Sequence, residues 1–479
     1  VDIAVVGSGP NGLAAAVIMA RAGARVSVFE AQDTLGGGVR SADILGAGVT
    51  SDVCSAVYPM VHSTPFFSQF QMSERVNLVT PEVSFAHPLD AGQAALAFRD
   101  LDRTVAGLGR DGKLYKKLLA PLVDSSIPIL EYLLGSFARM PQKPLTMVPF
   151  GLGTLWQSAR WWNAGFREET VPAMLSGVFG HNINVMPSVS STGAGLVLAM
   201  LAHGAGWPIP VGGAQALSDA LVADLERHGG TVHPGVRITS LSELPANSTV
   251  FVDTSLQGFG EMAGDALPVA YRRRIDRFQY GNAVCKVDFL LSEPVPWANP
   301  GIQASGTVHC VGTRSDAALA ARAVANGHMP DSPYVLVSQP SLFDSSRAPA
   351  GQHVLWTYTH VPRGSGEDRT EAVIRQIERF APGFRDVIVN SVATTGAQMP
   401  LHNANYVGGD IFAGAMTTRQ ALARPWLSRE PWRTPLDGVY LCSASVAPGP
   451  GVHGMGGYHA AATALRDFGL PFPDLSPSS

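Results

Sequence analysis

The sequence predicts an α/β fold in which a nucleotide-binding domain is built from three separated pieces. Three stretches predict it. Asp2 to Glu30 reads as strand, Gly-x-Gly-x-x-Gly turn, helix, strand and acid. Residues 211–254 return to a glycine pair, a helix and short strands. Residues 438–468 read as a strand, a glycine-rich loop and a helix. What lies between carries a different pattern and reads as an inserted α+β domain.

The first stretch has a physical reason at each position. Gly7 permits the turn out of the strand, Gly9 lets backbone approach a pyrophosphate, and Gly12 lets the helix pack on the strand. Pro10 and Asn11 lie where free N–H groups and the positive helix end face phosphates. Glu30, followed by Ala31, is placed for a ribose diol, and its charge disfavours a 2′-phosphate. Gly36-Gly37-Gly38 then bring no side chains; they make a loop that approaches something flat or charged, with Arg40 after it.

Composition narrows the function classes. At 479 residues the chain is too long for one simple core. It is 46% hydrophobic and 15% charged, with a net charge of −4 and no long basic run, so no nucleic-acid partner is expected. Cys54, Cys285, Cys310 and Cys442 are scattered, which signals neither a metal site nor a redox pair and fits a reducing, cytoplasmic compartment. No signal peptide or spanning helix is expected, and peripheral membrane contact stays open. Arg272-Arg273-Arg274 reads as a solvated helix face.

From Phe66 the pattern turns to short strands and then helices over 100–137. Residues 147–162 are apolar and aromatic, which reads as a domain core, or as a tunnel wall or membrane-facing entrance. Between Thr170 and Ser218 there is no Asp, Glu, Lys or Arg, as expected of buried helices around an apolar cavity; His181 and His203 there read as structural. Strands are expected at 231–233, 235–240 and 249–254. Ala283–Leu291, Val335–Val337 and His353–Tyr358 read as further strands. The expected nucleotide-binding pieces are 1–65, 205–260 and 400–479, and the substrate domain is 66–204 with 261–399.

Taken together, the opening motif, the triple glycine, Tyr406-Val407-Gly408-Gly409-Asp410 and the stretch from Tyr440 to Met455 resemble the phytoene desaturase-like branch of the FAD-dependent amine oxidase superfamily. Within it they are similar to proteins labelled pyridine nucleotide–disulfide oxidoreductase domain 2-like. The resemblance implies a Rossmann-like FAD-binding domain of the GR2 type, tightly held FAD and hydride transfer at the flavin. It places Val236 near the adenosine, and Ser445, Val452, Gly456 and Gly457 near the flavin. Lys286 resembles the strand lysine of amine oxidases, with a surface lysine on an edge strand as the plain alternative. His453, Tyr458 and Tyr406 are candidates for proton handling or pocket lining. The leading expectation is desaturation, saturation or isomerisation of a long apolar polyene or isoprenoid such as a carotenoid. The alternatives are an amine or amino-acid-derivative oxidase using oxygen, and a silent flavoprotein acting as an interaction partner.

Overall fold

A computed structural model describes residues 1–477. Two sheets dominate it. Their strands, in chain order, are β1 (Asp2–Val6), β2 (Arg25–Phe29), β3 (Val83–Pro88), β4 (Ala94–Phe98), β5 (Thr231–His233), β6 (Thr249–Val252), β7 (Ala283–Leu291), β8 (Ser305–Cys310), β9 (Val335–Ser338), β10 (His353–Val361), β11 (Ile388–Thr394) and β12 (Val439–Leu441). The helices that matter here are α1 (Pro10–Arg21), α2 (Gly112–Asp124), α3 (Met147–Ser158), α4 (Thr170–Phe179), α5 (Val189–Ala202), α6 (Gln215–Arg227), α7 (Arg314–Ala325), α8 (Thr370–Glu378) and α9 (Met455–Asp467).

The first sheet has the order β12–β6–β1–β2–β5, and every pairing in it is parallel. Parallel strands need crossovers, and their helices bury both sheet faces. Accordingly β1 is apolar throughout its last four residues, all buried. α1 buries every residue from Asn11 to Ala20, held between α6 and α9. Strands from the beginning, middle and end of the chain thus lie side by side, which is the three-piece arrangement the sequence predicts.

The second sheet has the order β11–β7–β10–β9–β8–β3–β4 and is antiparallel except where β8 meets β3. Its two faces differ. One carries Val287, Phe289, Val337 and Leu355, packed on Val373 and Ile377 of α8. The other follows from the register: Lys286 pairs with Tyr358 and Asp288 with Trp356, and His309 sits opposite Leu336. This second face is polar and aromatic, yet buried, because the charge-free α4 lies across its β3, β4 and β8 end. No strand forms over 235–240; those residues are irregular, tied to the chain after β2 by the Gly235 N–H donated to the Gln32 carbonyl at 2.9 Å and the Val236 N–H donated to the Glu30 carbonyl at 2.8 Å.

A buried cation joins the pieces. Arg347 donates to Asp52 at 2.9 Å, to Asp344 at 2.8 Å and to the Pro210 carbonyl at 2.9 Å. The same two carboxylates accept the N–H groups of Ala214 and Gly212.

Candidate dinucleotide cleft

A cleft of about 470 Å³ runs from the β1–α1 turn to the loop before α9. Its near end is the opening glycine turn. Gly7 has φ +97° and a Cβ there would lie 2.7 Å from the Asp253 carbonyl, so only glycine fits. Gly37, at φ +59°, sits so close that its Cβ would lie 2.9 Å from the Gly9 Cα. The two glycine loops are therefore stacked backbone on backbone.

Glu30 is held ready at this end. Its carboxylate accepts from Ser8 N and Oγ at 2.9 and 2.6 Å and from Gln32 N at 2.9 Å. That fixes its orientation at the cleft wall beside Ala31. The N–H of Asn11, at the first turn of α1, has no protein acceptor among the described residues. At the far end the same holds for the N–H groups of Gly451 and Val452. Free backbone donors at both ends, one of them a helix start, suit a ligand with phosphates at one end and an electron-rich ring at the other.

Of the residues expected to meet the cofactor, Gly7, Gly9, Pro10, Asn11, Glu30, Ala31, Gly37, Gly38, Arg40, Val236 and Val452 line the cleft, as does Tyr406. Arg40 lies there differently from expectation. Its guanidinium is spent on the Gly37 carbonyl at 2.7 Å, Thr34 Oγ1 at 2.8 Å and the His402 carbonyl. It braces the glycine loop from within the cleft wall.

Several expected residues do not line the cleft. Gly12 lies within α1, and its added Cβ would run into the Gly7 carbonyl. Gly36 receives no wall position; its N–H donates to Ser8 Oγ at 3.0 Å. Ser445 is fully buried, donating to the Ala413 carbonyl at 2.7 Å and accepting from Leu256 N. Gly456 donates its N–H to Asn11 Oδ1 at 3.1 Å, and Gly457 leaves no room for a Cβ against the Asn11 carbonyl. These two glycines thus serve the crossing of α9 on α1, and the first two donors of α9 are already taken.

The expected acid–base residues also separate. Tyr458 is corrected: it points away from the cleft, packs on Phe472 and meets Gln69. His453 is fully buried with Nδ1 accepting from Met455 N and Nε2 facing the Gly449 carbonyl at 3.2 Å. Burial lowers its pKa to about 4, so it is a neutral brace for the loop. Tyr406 meets the Cys54 thiol, and burial drives its hydroxyl well above the ordinary range. His203 is satisfied by Tyr115 and the Phe98 carbonyl, at 2.6 and 2.7 Å.

Lys286 is not on an edge. β7 lies between β11 and β10, and the side chain is buried, ion-paired with Asp288 and 5.8 Å from the Trp356 ring. Its charge reaches Cys54 and His402, both of which line the cleft. Burial raises the Asp288 carboxyl although Lys286 opposes the rise. Asp288 Oδ1 and Trp356 Nε1 on the same face have no hydrogen-bond partner among the described residues.

Sequence reasoning passed over Asp253. It closes β6 next to β1, lines the cleft and accepts the Gly12 N–H at 2.9 Å. A Cβ on Gly9 would come within 2.5 Å of its Oδ2. Burial, with Glu30 adding to it, raises the carboxyl to about 8. The available signal was an acid ending an apolar strand, Thr249 to Val252, in the same sheet as the glycine turn.

Comparison with known proteins agrees with this geometry. The model of the flavin containing amine oxidoreductase family matches residues 11–464. The rat (Rattus norvegicus) pyridine nucleotide-disulfide oxidoreductase domain-containing protein 2 is 24% identical over 550 aligned residues, covering 97% of this chain and 93% of the relative. The four cysteines here are free, so the disulfide in that name finds no counterpart. An oxidoreductase from Methanosarcina mazei superposes with a TM-score of 0.64 at 15% identity, covering 97% of this chain and 100% of that one. A putrescine oxidase triple mutant gives 0.58 at 16% identity, covering 98% of each. The expectation of a silent flavoprotein gives way to that of an enzyme. The chain belongs to the flavin containing amine oxidoreductase family and is an FAD-dependent oxidoreductase.

Proposed function

We propose that this chain oxidises a C–H bond next to a nitrogen or another polar group, with bound FAD supplying the two-electron acceptor. The observation that carries this reading is the buried Lys286–Asp288 pair on the sheet face behind the cleft wall, with Asp288 Oδ1 and Trp356 Nε1 beside it unpartnered among the described residues. The pair lies behind the cleft wall, and the Lys286 charge reaches Cys54 and His402 in that wall, which favours a substrate with a polar group next to the reacting carbon over a pure hydrocarbon.

The chain's own residues divide the work. The glycine turn, Asn11 and Glu30 would hold the dinucleotide, and Arg40 keeps the second glycine loop against the first. Lys286 would hold a water or a substrate lone pair, with Asp288 fixing its direction. Tyr406 and Cys54 would close the wall between cleft and sheet. The relatedness to a putrescine oxidase supports an amine as the first compound class to try.

A second reading, desaturation of a long polyene, is favoured by the charge-free helices α4 and α5. Anaerobic mixing of the holoprotein with a panel of amines, amino-acid derivatives and polyenes separates the two. Bleaching of the flavin band by amines is the expected result. Bleaching by polyenes alone would overturn the first reading.

A further inference from the structure

α3 is apolar on both sides. Phe150, Gly153, Thr154 and Gln157 face inward, toward α2 and α5. Val148, Leu152 and Leu155 recur at helical spacing on the opposite side and are exposed, Leu152 by 64% and Leu155 by 62%. Leu145, one turn earlier, is 83% exposed, and Trp161, just beyond the helix, is 66% exposed. A surface helix in water carries polar residues on its outer face. A contiguous apolar stripe there marks an interaction surface.

The charges around the stripe identify the partner. From Tyr132 to Arg167 the chain contains Arg139, Lys143, Arg160 and Arg167 and no acid, although the whole chain carries a net charge of −4. Carboxylates do appear at the borders, as Glu131 and Glu168. None of the four cations is ion-paired with a carboxylate among the described residues. Exposed leucines on a helix lying along the surface, flanked in the chain by an exposed tryptophan and by cations without carboxylate partners, match a bilayer with anionic headgroups: the apolar side chains enter the acyl boundary while the cations stay at headgroup level.

We infer that the α3 face, from Leu145 to Trp161, docks the protein on an anionic lipid surface. This goes beyond the substrate reading and does not depend on it. No described helix is long and apolar enough to cross a membrane, so the docking is in the plane of the interface.

Flotation of the FAD-loaded full chain with vesicles tests this. Wild type should float with phosphatidylcholine vesicles containing phosphatidylglycerol, bind phosphatidylcholine alone more weakly, and lose part of its binding in salt. Leu152→Gln with Leu155→Gln should lower vesicle affinity about 10-fold or more while the flavin spectrum and melting curve stay unchanged. Lys143→Gln with Arg160→Gln should reduce the preference for anionic vesicles. Failure of wild type to float at low salt would overturn the inference, as would equal flotation of the two-leucine variant. So would a wild-type dimer that this variant turns into a monomer, because a second copy would then cover the face.

Discussion

Asp253 and Lys286 are both buried ionisable groups, and each makes a prediction. Asp253 keeps its proton to about pH 8, whereas an ordinary aspartate loses it near 3.8. Between those values the folded chain holds a proton that the unfolded chain has released. Stability is therefore full below about pH 4 and falls as pH rises to about 8, by roughly 1.4 kcal/mol per pH unit. Asp253→Asn keeps an acceptor for the Gly12 N–H and removes this slope. Thermal unfolding should show the variant gaining most over its parent at pH 8 and little at pH 4; an equal gap at both would contradict the assignment. Lys286→Met should slow reoxidation of the reduced holoprotein by oxygen on the order of 10²-fold, read by stopped-flow absorbance, and an unchanged rate would leave the lysine a purely structural role. Neither residue's setting was legible in the chain. Lys286 sits in a strand whose residues alternate, and alternation alone does not say whether the polar face meets water or another layer. Asp253 could not be placed because its partner, Gly12, is far away in sequence.

At the scale of elements, the glycine turn, both flanking strands and the helix after them were readable, since each follows from a local steric rule. The irregular run after His233 was not, because a short apolar stretch looks the same whether or not a neighbour completes its ladder. The roles of Gly456 and Gly457 were misjudged for a related reason: glycines permit close approach, but the sequence does not say to what. Here it is α1. Gly457→Ala should force α9 off α1, costing about 1–3 kcal/mol and weakening FAD binding, measurable by melting and by flavin fluorescence titration. Arg347 ties three loops through two buried carboxylates. Arg347→Met leaves those carboxylates uncompensated, and a loss of about 3–5 kcal/mol in denaturant unfolding is expected.

For the whole molecule, the fold class was legible because three separate stretches repeated one strand–turn–helix grammar. The substrate was not: the polar face beside the cleft exists only once β7, β8, β9 and β10 lie in register. FAD binds the folded form, so added FAD should raise the melting temperature, with a gain of about 2.7 kcal/mol at a hundredfold excess over Kd. No rise would contradict the cleft as a flavin site. The placement of β12 beside β6, and of α9 across α1, has a consequence during synthesis. The first nucleotide-binding strand leaves the ribosome well before the wall that completes its cleft, since the whole inserted domain is made between them. Until then the buried face of α1 stays uncovered on one side, so the nascent chain must wait, exposed to chaperones, before any cofactor can lock it.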